Sequence, residues 1–365
     1  MFISSLSLKN YRNYIDQSFE FSKGINIISG LNAQGKTNCA EAIFYLCTGY
    51  SPRVTRDKQV IFKDADFAKI SAVAHSERMG ELSAEIEFSR EGSKKITVNG
   101  VLASKIGELM GNINSVMFNP QELKLVQESP EDRRRFMDIA LSQTNRRYFY
   151  ALQKYKKILQ QRNTLLKNPD TELVLQTLPI WDEQLSMVAC SIIYDRNEFL
   201  KKLKPLCNSA HSIITDGLEN LEVSSDYKFE GTHEQIKDAL MEELYARMQK
   251  DIELGYTSIG PHRDDIKIKI NGEDARVYGS QGQQRTAALS LKLAELQIFN
   301  QHFGEYPVLI LDDALSELDV GRRNRLMNML EGIQTIITCT DAERLSGVNA
   351  KHFVIQGGRV VDVHE

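Results

Sequence analysis

Apolar and polar residues alternate along much of the first hundred residues of the chain, the pattern expected of half-buried strands. The candidate strands are residues 2–8, 19–21, 25–28, 84–88 and 95–98. The last two flank a polar stretch that contains Gly92, so they predict a hairpin. Residues 37–46 predict a short helix between these strands.

The pattern becomes helical near residue 116. Ser129 followed by Pro130 and two acidic residues predicts the start of a helix, with serine as the N-cap. Helical periodicity then covers residues 133–167 and, after a break, residues 173–210. The expected breaks or kinks are residues 168–170, Pro179 and Pro205. Two long helices with a short connection predict an antiparallel pair that projects from the main body.

Strand patterns return after residue 250 and alternate with a helical one. The candidate strands are residues 265–270, 308–311, 334–338, 353–355 and 360–363, and the candidate long helix is residues 281–302. We therefore expect an α/β body formed by residues 1–115 and 251–365, with a mainly helical arm, residues 116–250, inserted between them.

Composition narrows the class of protein without identifying it. The chain has 365 residues, 42% hydrophobic and 26% charged, which excludes collagen-like and largely disordered proteins. No apolar stretch approaches the ~20 residues that span a bilayer, so we expect no membrane association. The five cysteines are Cys39, Cys47, Cys190, Cys207 and Cys339. Their scatter predicts reduced thiols in a cytoplasmic protein, and neither a disulfide framework nor a zinc site.

Residues 30–37 carry the first chemical motif, because they fit the phosphate-loop pattern G-x-x-x-x-G-K-[ST] between a strand and a helix. Backbone N–H groups of such a loop wrap a phosphate. The expected nucleotide-binding residues are Gly30, Leu31, Asn32, Ala33, Gln34, Gly35, Lys36 and Thr37. Lys36 can bridge the β- and γ-phosphates, and Thr37 can ligate Mg²⁺. A chance glycine-rich turn is the alternative interpretation.

A second motif follows the apolar run 308–311, which ends in Asp312 and Asp313. Open α/β sheets bind ligands at the carboxyl ends of their strands. Asp312 is therefore the candidate Mg²⁺ ligand, and Asp313 is the candidate to orient or deprotonate the attacking water. Alone, this pattern also fits an ordinary strand with a polar end, but the phosphate loop strengthens it. The candidate catalytic residues are Asp312, Asp313 and Lys36.

The segment 278–286 begins a helix with a capping box, Ser280 paired with Gln283. A capped helix N-terminus beside Gly282 is also a phosphate-binding surface.

The chain carries, in this order, the phosphate loop, the long insertion, the G-S-Q-G-Q helix, the Asp-Asp strand and S-E-L-D at 316–319. This order of motifs resembles an ABC-type ATPase head of the SMC-like branch. The resemblance implies a P-loop NTPase head with an inserted helical arm, which binds ATP and Mg²⁺ and dimerises with ATP. In this family, the serine-containing segment of one subunit contacts the γ-phosphate held by the other. The trans contacts it implies are Ser280, Gln281, Gly282, Gln283 and Asp319. Further nucleotide contacts implied are Arg12, Asn13 and Gln121.

Two further segments, 129–135 and 260–265, make the chain similar to recombination mediators within this family. That resemblance implies a weak, DNA-dependent ATPase of DNA replication and recombinational repair. It implies binding to single-stranded DNA and to single-strand/double-strand junctions, and action with RecO and RecR in loading the RecA recombinase.

Three positions depart from the general ABC pattern. Asp313 stands where glutamate is usual, and its shorter side chain predicts slow hydrolysis. Gln281 follows Ser280 where most ABC proteins have glycine. After residues 334–338 come Cys339, Thr340 and Asp341, so the usual switch histidine is missing.

The arm is strongly basic although the whole chain has a net charge of -4. Residues 133–167 contain ten basic residues and one acid, Asp138. Phosphate contacts by lysine and arginine do not depend on base sequence, which suits a protein that recognises DNA form. The candidate DNA-binding residues are Arg133, Arg134, Arg135, Arg146 and Arg147. A solvated surface is the alternative interpretation.

The alternatives to an ATP-switched DNA-binding protein are a P-loop kinase and an ABC subunit of a membrane transporter. A P-loop kinase for a small molecule needs an acceptor pocket and leaves residues 279–283 and 316–319 unexplained. For an ABC subunit of a membrane transporter, the missing histidine and the basic helical insertion argue against the assignment.

Overall fold

The structure is a computed structural model, and it describes residues 1–315, 318–340 and 348–364. Its strands are β1 (Phe2–Tyr11), β2 (Tyr14–Glu20), β3 (Ile25–Ser29), β4 (Phe67–Ser76), β5 (Gly80–Ser89), β6 (Lys94–Val98), β7 (Val101–Leu102), β8 (Ser115–Phe118), β9 (Leu221–Ser225), β10 (Ile266–Ile270), β11 (Glu273–Asp274), β12 (Val308–Asp312), β13 (Thr335–Cys339), β14 (Ala350–Gln356) and β15 (Arg359–His364). Its helices are α1 (Lys36–Thr48), α2 (Lys124–Gln127), α3 (Pro130–Thr144), α4 (Arg146–Leu165), α5 (Thr171–Thr215), α6 (His233–Ala246), α7 (Met248–Leu254), α8 (Ala275–Tyr278), α9 (Gln281–Phe303) and α10 (Val320–Met329).

One sheet is antiparallel, with the strand order β2-β1-β4-β5-β6-β7. The predicted hairpin is confirmed, since Ala84 pairs with Val98 across β5 and β6. The sequence pattern does not predict β4, because alanines fill much of its buried face and give only a weak apolar signal. These alanines are Ala68, Ala72 and Ala74.

The other large sheet has the order β15-β14-β3-β13-β12-β8, and its strands run parallel except for β15 at the edge. β12 is buried along its whole length, as expected for a strand covered on both faces. Helix α1 packs between this sheet and β4 and β5 of the antiparallel sheet, while α9 lies against β8 and α5. The α/β fold is confirmed, and the phosphate loop lies where β3 meets α1.

Helix boundaries in the arm differ from the sequence prediction in two ways. The predicted helix 133–167 is split at Asn145, whose side chain accepts a hydrogen bond from the Arg147 N–H and caps α4. Neither Pro179 nor Pro205 ends a helix, because α5 continues through both for 45 residues, so a helix boundary at these prolines is wrong and a kink stays a prediction. Both prolines lie on the exposed face, where water can satisfy the carbonyl groups that lack an N–H partner.

The segment 260–265, whose role the sequence left open, fastens the arm together around the buried Arg196. This guanidinium donates to the Pro261 carbonyl at 2.6 Å and pairs with Asp138 at 2.9 Å and Asp264 at 3.2 Å. A second pair joins Arg133 of α3 to Asp265 at 2.7 Å. Residues from both sides of the predicted boundary at 250/251 therefore share one buried network.

The division of the chain into head and arm stays a prediction, but contacts favour a later second boundary. β10 pairs with β9 of the arm in a small sheet that also contains β11. We propose that the arm extends to about Asp274, where β11 ends and α8 leads back to the head.

None of the described helices combines the length and the apolar character that crossing a membrane requires.

Arg162 joins three elements of the arm and should dominate its stability. This fully buried side chain of α4 pairs with Asp182 of α5 at 2.6 Å and with Asp251 of α7 at 2.8 Å. Arg162→Met leaves both carboxylates without their cation, which costs about 3–5 kcal/mol in comparable buried pairs. Urea unfolding followed by circular dichroism should show this loss.

The matched control is Lys154→Met on the exposed face of the same helix. Substitutions at exposed positions of this kind usually change the free energy of unfolding by no more than about 0.5 kcal/mol. Equal midpoints for the two variants would mean that the Arg162 network does not stabilise the arm.

His262 should make the arm sensitive to acid. Its Nε2 lies 3.0 Å from the Thr257 carbonyl and so carries the proton, while Nδ1 accepts from the Tyr155 hydroxyl at 2.6 Å. Burial lowers the pKa of His262 to about 4. The stability that depends on the neutral ring is complete above the unfolded pKa of about 6.5 and is lost as the pH falls toward 4, by up to about 3 kcal/mol.

The free energy of unfolding of His262→Gln, measured by urea titration at pH 7.5 and pH 5, should therefore approach that of the wild type at the lower pH. Gln160→Ala, at an exposed position of α4, is the control, because it changes no titratable group and its difference from the wild type should stay constant. A constant difference for His262→Gln as well would contradict the assigned tautomer.

Candidate nucleotide site and basic arm

The phosphate loop, residues 30–37, has a backbone that only glycine fits at two positions. Gly30 and Gly35 adopt φ angles of 150° and 122°. A Cβ at Gly30 would lie 2.3 Å from the Ile355 carbonyl oxygen, and one at Gly35 would lie 2.9 Å from the Asn13 amide. Both glycines are therefore required by close backbone approach as well as by their dihedral angles.

Both ends of the chain brace the loop. The Gln34 carbonyl accepts hydrogen bonds from Asn13 Nδ2 at 2.8 Å and from the Gly358 N–H at 2.9 Å. The Tyr14 hydroxyl donates to the Gly35 carbonyl at 3.0 Å. Because these carbonyls are engaged from outside, the loop is held in one conformation by residues more than 300 positions apart in the sequence.

The Lys36 side chain bonds to the backbone at the beginning of the phosphate loop. Its ammonium donates to the carbonyls of Gly30 at 2.6 Å and Leu31 at 2.8 Å. Burial lowers its pKa, while the nearby Cys339, Asp313 and Asp312 oppose that shift. The side chain thus brings a positive charge to the place where a phosphate group would bind.

Thr37 and Asp312, predicted as metal ligands from two distant motifs, are in contact. Both Thr37 Oγ1, at 3.0 Å, and Thr338 Oγ1, at 2.5 Å, donate to Asp312 Oδ1. Burial raises the pKa of Asp312, and the two hydroxyl donors oppose that shift. A hydroxyl and a carboxylate side by side suit Mg²⁺, which takes one or two protein oxygens and completes its shell with phosphate and water.

No group of three or more His, Cys, Asp or Glu side chains among the described residues could hold a metal ion. A site with few protein ligands, completed by the nucleotide, therefore fits this chain better than a closed metal cage.

Asp313 has an unusual backbone that follows from its place at the end of β12. Its φ is 53°, in the left-handed region, and its N–H lies 3.2 Å from the Thr338 carbonyl oxygen. Its side chain is exposed, in contrast to the buried Asp312. A non-glycine residue in this conformation is uncommon and is often found at functional sites.

The two N-terminal residues implied by the resemblance lie beside the loop, but Arg12 is already paired. Its guanidinium makes two bonds to the buried Glu41, Nε to Oε2 at 2.9 Å and Nη2 to Oε1 at 2.6 Å. Asn13 accepts from Asn38 Nδ2 at 2.8 Å as well as donating to the loop. Both residues therefore position the loop and α1.

The sequence did not predict Arg53 as a site residue. Its Nη1 donates to Asn38 Oδ1 at 2.8 Å, lies 3.6 Å from Glu41 Oε2, and contributes to the electrostatic environment of Asp312. Arg53 lies in a loop after α1 without a motif of its own, so only the fold reveals that it is near the phosphate loop.

Gln121 lies on an exposed 3₁₀ turn, Pro120–Leu123, directly after β8. The turn leads into α2, whose Gln127 donates to Gln284 of α9 at 2.7 Å. The segment after β8 is thus bonded to the beginning of the helix that carries the second motif.

The capping box of α9 is confirmed in both directions. The Ser280 N–H donates to Gln283 Oε1 at 2.9 Å, and the Gln283 N–H donates to Ser280 Oγ at 3.2 Å. Arg322 of α10 donates to the Gly282 carbonyl at 3.4 Å, and its own N–H is capped by Asp319. These polar groups form one exposed surface.

Within the described residues, no hydrogen bond joins this surface, residues 279–284 with Asp319, to the phosphate loop. Ser316 and Glu317 of the S-E-L-D segment lie outside the described residues, as does Asp341.

The arginines predicted to contact DNA differ in their surroundings, and the prediction for Arg133 is wrong. Arg133 is 6% exposed and is committed to Asp265 and to two backbone carbonyls, so it supports the fold and cannot contact DNA as it stands. Arg146 is exposed but donates to the Met110 carbonyl at 2.6 Å. Arg134 is half-buried and donates to the Asp264 carbonyl, whereas Arg135 and Arg147 are exposed.

Comparison with known proteins places the chain in a family. Residues 2–358 match the family model described as RecF/RecN/SMC N terminal domain. A "DNA replication and repair protein RecF" of Clostridium perfringens is 43% identical over 99% of both chains. The protein of the same name from Clostridium acetobutylicum is 44% identical over 99% of this chain and all of its own.

Solved structures agree with this assignment. A structure of the recombination mediator protein RecF-ATPrS in the RecFOR pathway has a TM-score of 0.90 and 36% identity, covering all of this chain and 98% of the other. An SMC head bound to the C-winged helix domain of ScpA shares the fold, with a TM-score of 0.59 and 15% identity over all of this chain and 97% of the other. The chain therefore belongs to the RecF family of DNA replication and repair proteins, within the wider RecF/RecN/SMC group.

Proposed function

We propose that this chain is an ATP-switched DNA-binding protein of replication and recombinational repair, in which the nucleotide is shared between two copies. The observation that supports the proposal is that the candidate site residues fall into two separate groups. Lys36, Thr37 and Asp312 converge on one loop, while the capped helix at Ser280 is exposed and, within the part of the chain that the structure describes, has no hydrogen bond to that loop.

The surface at Ser280 suits a phosphate that its own chain does not hold. Helix α9 has 23 residues, so its N-terminus carries the partial positive charge of aligned peptide groups. The capping box satisfies the N–H groups of Ser280 and Gln283, and Arg322, which also pairs with Glu219 at 3.3 Å and Asp319 at 3.5 Å, places its guanidinium beside Gly282. An anion brought by a second copy would meet backbone donors and a cation together.

The residues of the loop support ATP binding and hydrolysis of the ABC type. Lys36 neutralises charge on the outer phosphates, and the backbone of residues 30–37 surrounds them. Thr37 and Asp312 would hold Mg²⁺, which supplies charge stabilisation as phosphate oxygens become more negative. Asp313, exposed next to this pair, would orient the attacking water, and we expect its short side chain to make hydrolysis slow.

Relatives support the biological setting. RecF proteins carry the description of DNA replication and repair, and solved RecF-ATP structures come from the RecFOR pathway. We extend this to DNA, RecO and RecR as partners of this chain, with single-stranded and junction DNA as the bound forms and RecA as the recombinase served. Dependence of hydrolysis on DNA belongs to the same proposal. The kinase alternative is not supported, since relatives that are 43% and 44% identical over 99% of this chain are RecF proteins.

Ser280→Arg should separate nucleotide binding from dimerisation. A long cation at the exposed helix start obstructs a second copy but leaves the phosphate loop untouched. We expect the variant to bind a fluorescent ATP analogue with wild-type affinity, yet to stay monomeric in sedimentation velocity with ATP and Mg²⁺, where the wild type dimerises.

Thr232→Arg is the matched control, because Thr232 and Gln235 form the same capping box at the start of α6 in the arm. Any general cost of losing a capping box appears in both variants, so only Ser280→Arg should block the dimer. A Ser280→Arg protein that still dimerises with ATP would exclude a shared site at this helix.

Asp312→Asn and Asp313→Asn should have different effects although the residues are adjacent. Asp312→Asn removes a buried carboxylate from the Mg²⁺ pair and should weaken Mg²⁺-dependent nucleotide binding. Asp313→Asn should bind ATP and dimerise normally but hydrolyse it about 10²-fold or more slowly, the usual range for losing a general base.

Nucleotide binding, sedimentation and phosphate release, measured on both variants, test this difference. Wild-type phosphate release by Asp313→Asn would remove Asp313 from the hydrolytic step.

A further inference from the structure

Two neighbouring clefts form a groove along one face of α4. Its first part is a cleft of about 520 Å³ between α3 and α4, which begins beside Tyr50 at the base of the arm. Its second part, of about 460 Å³, lies along the C-terminal half of α4 and reaches Lys167 in the turn that follows the helix. Lys156 and Leu159 line both parts, so the two clefts are adjacent.

The rim of the groove is basic. Arg134 and Arg135 of α3 and Lys156 of α4 line the first part, and Lys156 and Lys167 line the second. Helix α4 itself contains six basic residues and no acid. Of the acids that line the first part, Asp138 is already paired with Arg196, which leaves Glu131. The groove therefore offers a surplus of positive charge.

The floor of the groove is apolar and partly aromatic. Ile139, Phe149, Leu152 and Leu159 line it and are only partly buried. At the base of the arm, the Arg135 guanidinium lies over the Tyr50 ring, 5.3 Å from its centre. A basic rim with an apolar, aromatic floor is what proteins use to hold unpaired strands, whose bases are free to pack against side chains.

The polar residues along the groove repeat with the helix. Gln153, Lys156, Gln160 and Asn163 are spaced by three or four positions, so they share one face of α4, and Lys167 follows in the turn after the helix ends. The helical part of this stripe, residues 153–163, spans about 15 Å at 1.5 Å per residue, and the turn with Lys167 extends it, which is long enough for a few nucleotides. The exposed amides of Gln153 and Gln160, which lie among the cations, can bond to the base edges that an unpaired strand leaves open.

We propose that this groove binds an unpaired nucleic-acid strand, with its phosphates along Arg135, Lys156 and Lys167 and its bases against the apolar floor. The proposal rests on the DNA-binding function proposed above and identifies the site for the single-stranded part of the DNA. It excludes Lys154 and Lys157 from that site, because they lie on another exposed face of α4 and line neither cleft.

Two double variants with the same change of charge test this assignment. Lys156→Glu/Lys167→Glu alters the groove, and Lys154→Glu/Lys157→Glu alters the outer face of the same helix. Anisotropy of a labelled oligo-dT and of a blunt duplex is measured with ATP and Mg²⁺ over a range of salt concentrations. We expect the groove variant to lose at least tenfold in oligo-dT affinity with a lower salt slope, and the control to lose less than threefold.

Phe149→Ala tests the floor separately from the charge. Stacking is insensitive to salt, so we expect about tenfold weaker oligo-dT binding with an unchanged salt slope. Duplex binding should not change, because a duplex keeps its bases stacked internally. ATP-induced dimerisation, measured on each variant, reports that the fold and the nucleotide switch are intact.

The outcomes distinguish this proposal from the function on which it rests. Equal losses in the two charge variants would overturn the groove as the strand site and indicate non-specific attraction. Unchanged oligo-dT binding by the groove variant, with dimerisation intact, would also overturn it and favour an acidic protein segment as the occupant. A wild-type protein that neither dimerises with ATP nor binds DNA would instead contradict the proposed function.

Discussion

The carbonyl of Gln34 is the acceptor on which the nucleotide site depends. It receives one hydrogen bond from Asn13 near the start of the chain and another from Gly358 near its end. The backbone of the loop is held from outside by these donors, which lie in the turn between β1 and β2 and in the turn between β14 and β15. A motif that sequence comparison treats as eight consecutive residues is therefore a product of three distant segments, and the α/β head must be complete before the loop acquires its shape.

The arm is held by buried arginines, whereas the head is held mainly by apolar packing around α1 and the parallel sheet. Arg162, Arg196 and Arg133 each join helices to segments that come much later in the chain. Such pairs tolerate little change, since removing one partner leaves a buried charge. They also determine which helices pack against each other. Leucines specify such neighbours less strictly, because one leucine can pack in place of another.

Much of the head could be predicted from the sequence, because its motifs are local. The phosphate loop, the Asp-Asp strand and the capping box each lie within ten residues, and each appears in the structure with the expected local geometry. Thr37 and Asp312 are 275 residues apart, yet the shared rule that ligands bind at the carboxyl ends of strands was enough to anticipate their meeting.

The arm was less predictable, because charge in a sequence does not reveal burial. Arg133, Arg134 and Arg135 look equivalent as a run, but about half a turn of helix separates the buried ion pair of Arg133 from the exposed side chain of Arg135. Arg53 carried no local signal at all. The prolines of α5 suggested helix ends at positions where the helix in fact continues. The rule that proline ends a helix does not take into account whether the carbonyl groups left without a partner face water.

The length of α5 gives the molecule a mechanical property. Its 45 residues form a strut of about 68 Å at 1.5 Å per residue, and near its C-terminal end His211 contacts Ser290 of α9 at 3.1 Å. A rotation of about 5° at that anchored end displaces the far tip by about 6 Å, which follows from the strut length alone. A displacement of about an ångström where two heads meet would therefore become several times larger at the distal end of the arm. Pro179 and Pro205 lie within α5, where bending of the helix would reduce this amplification.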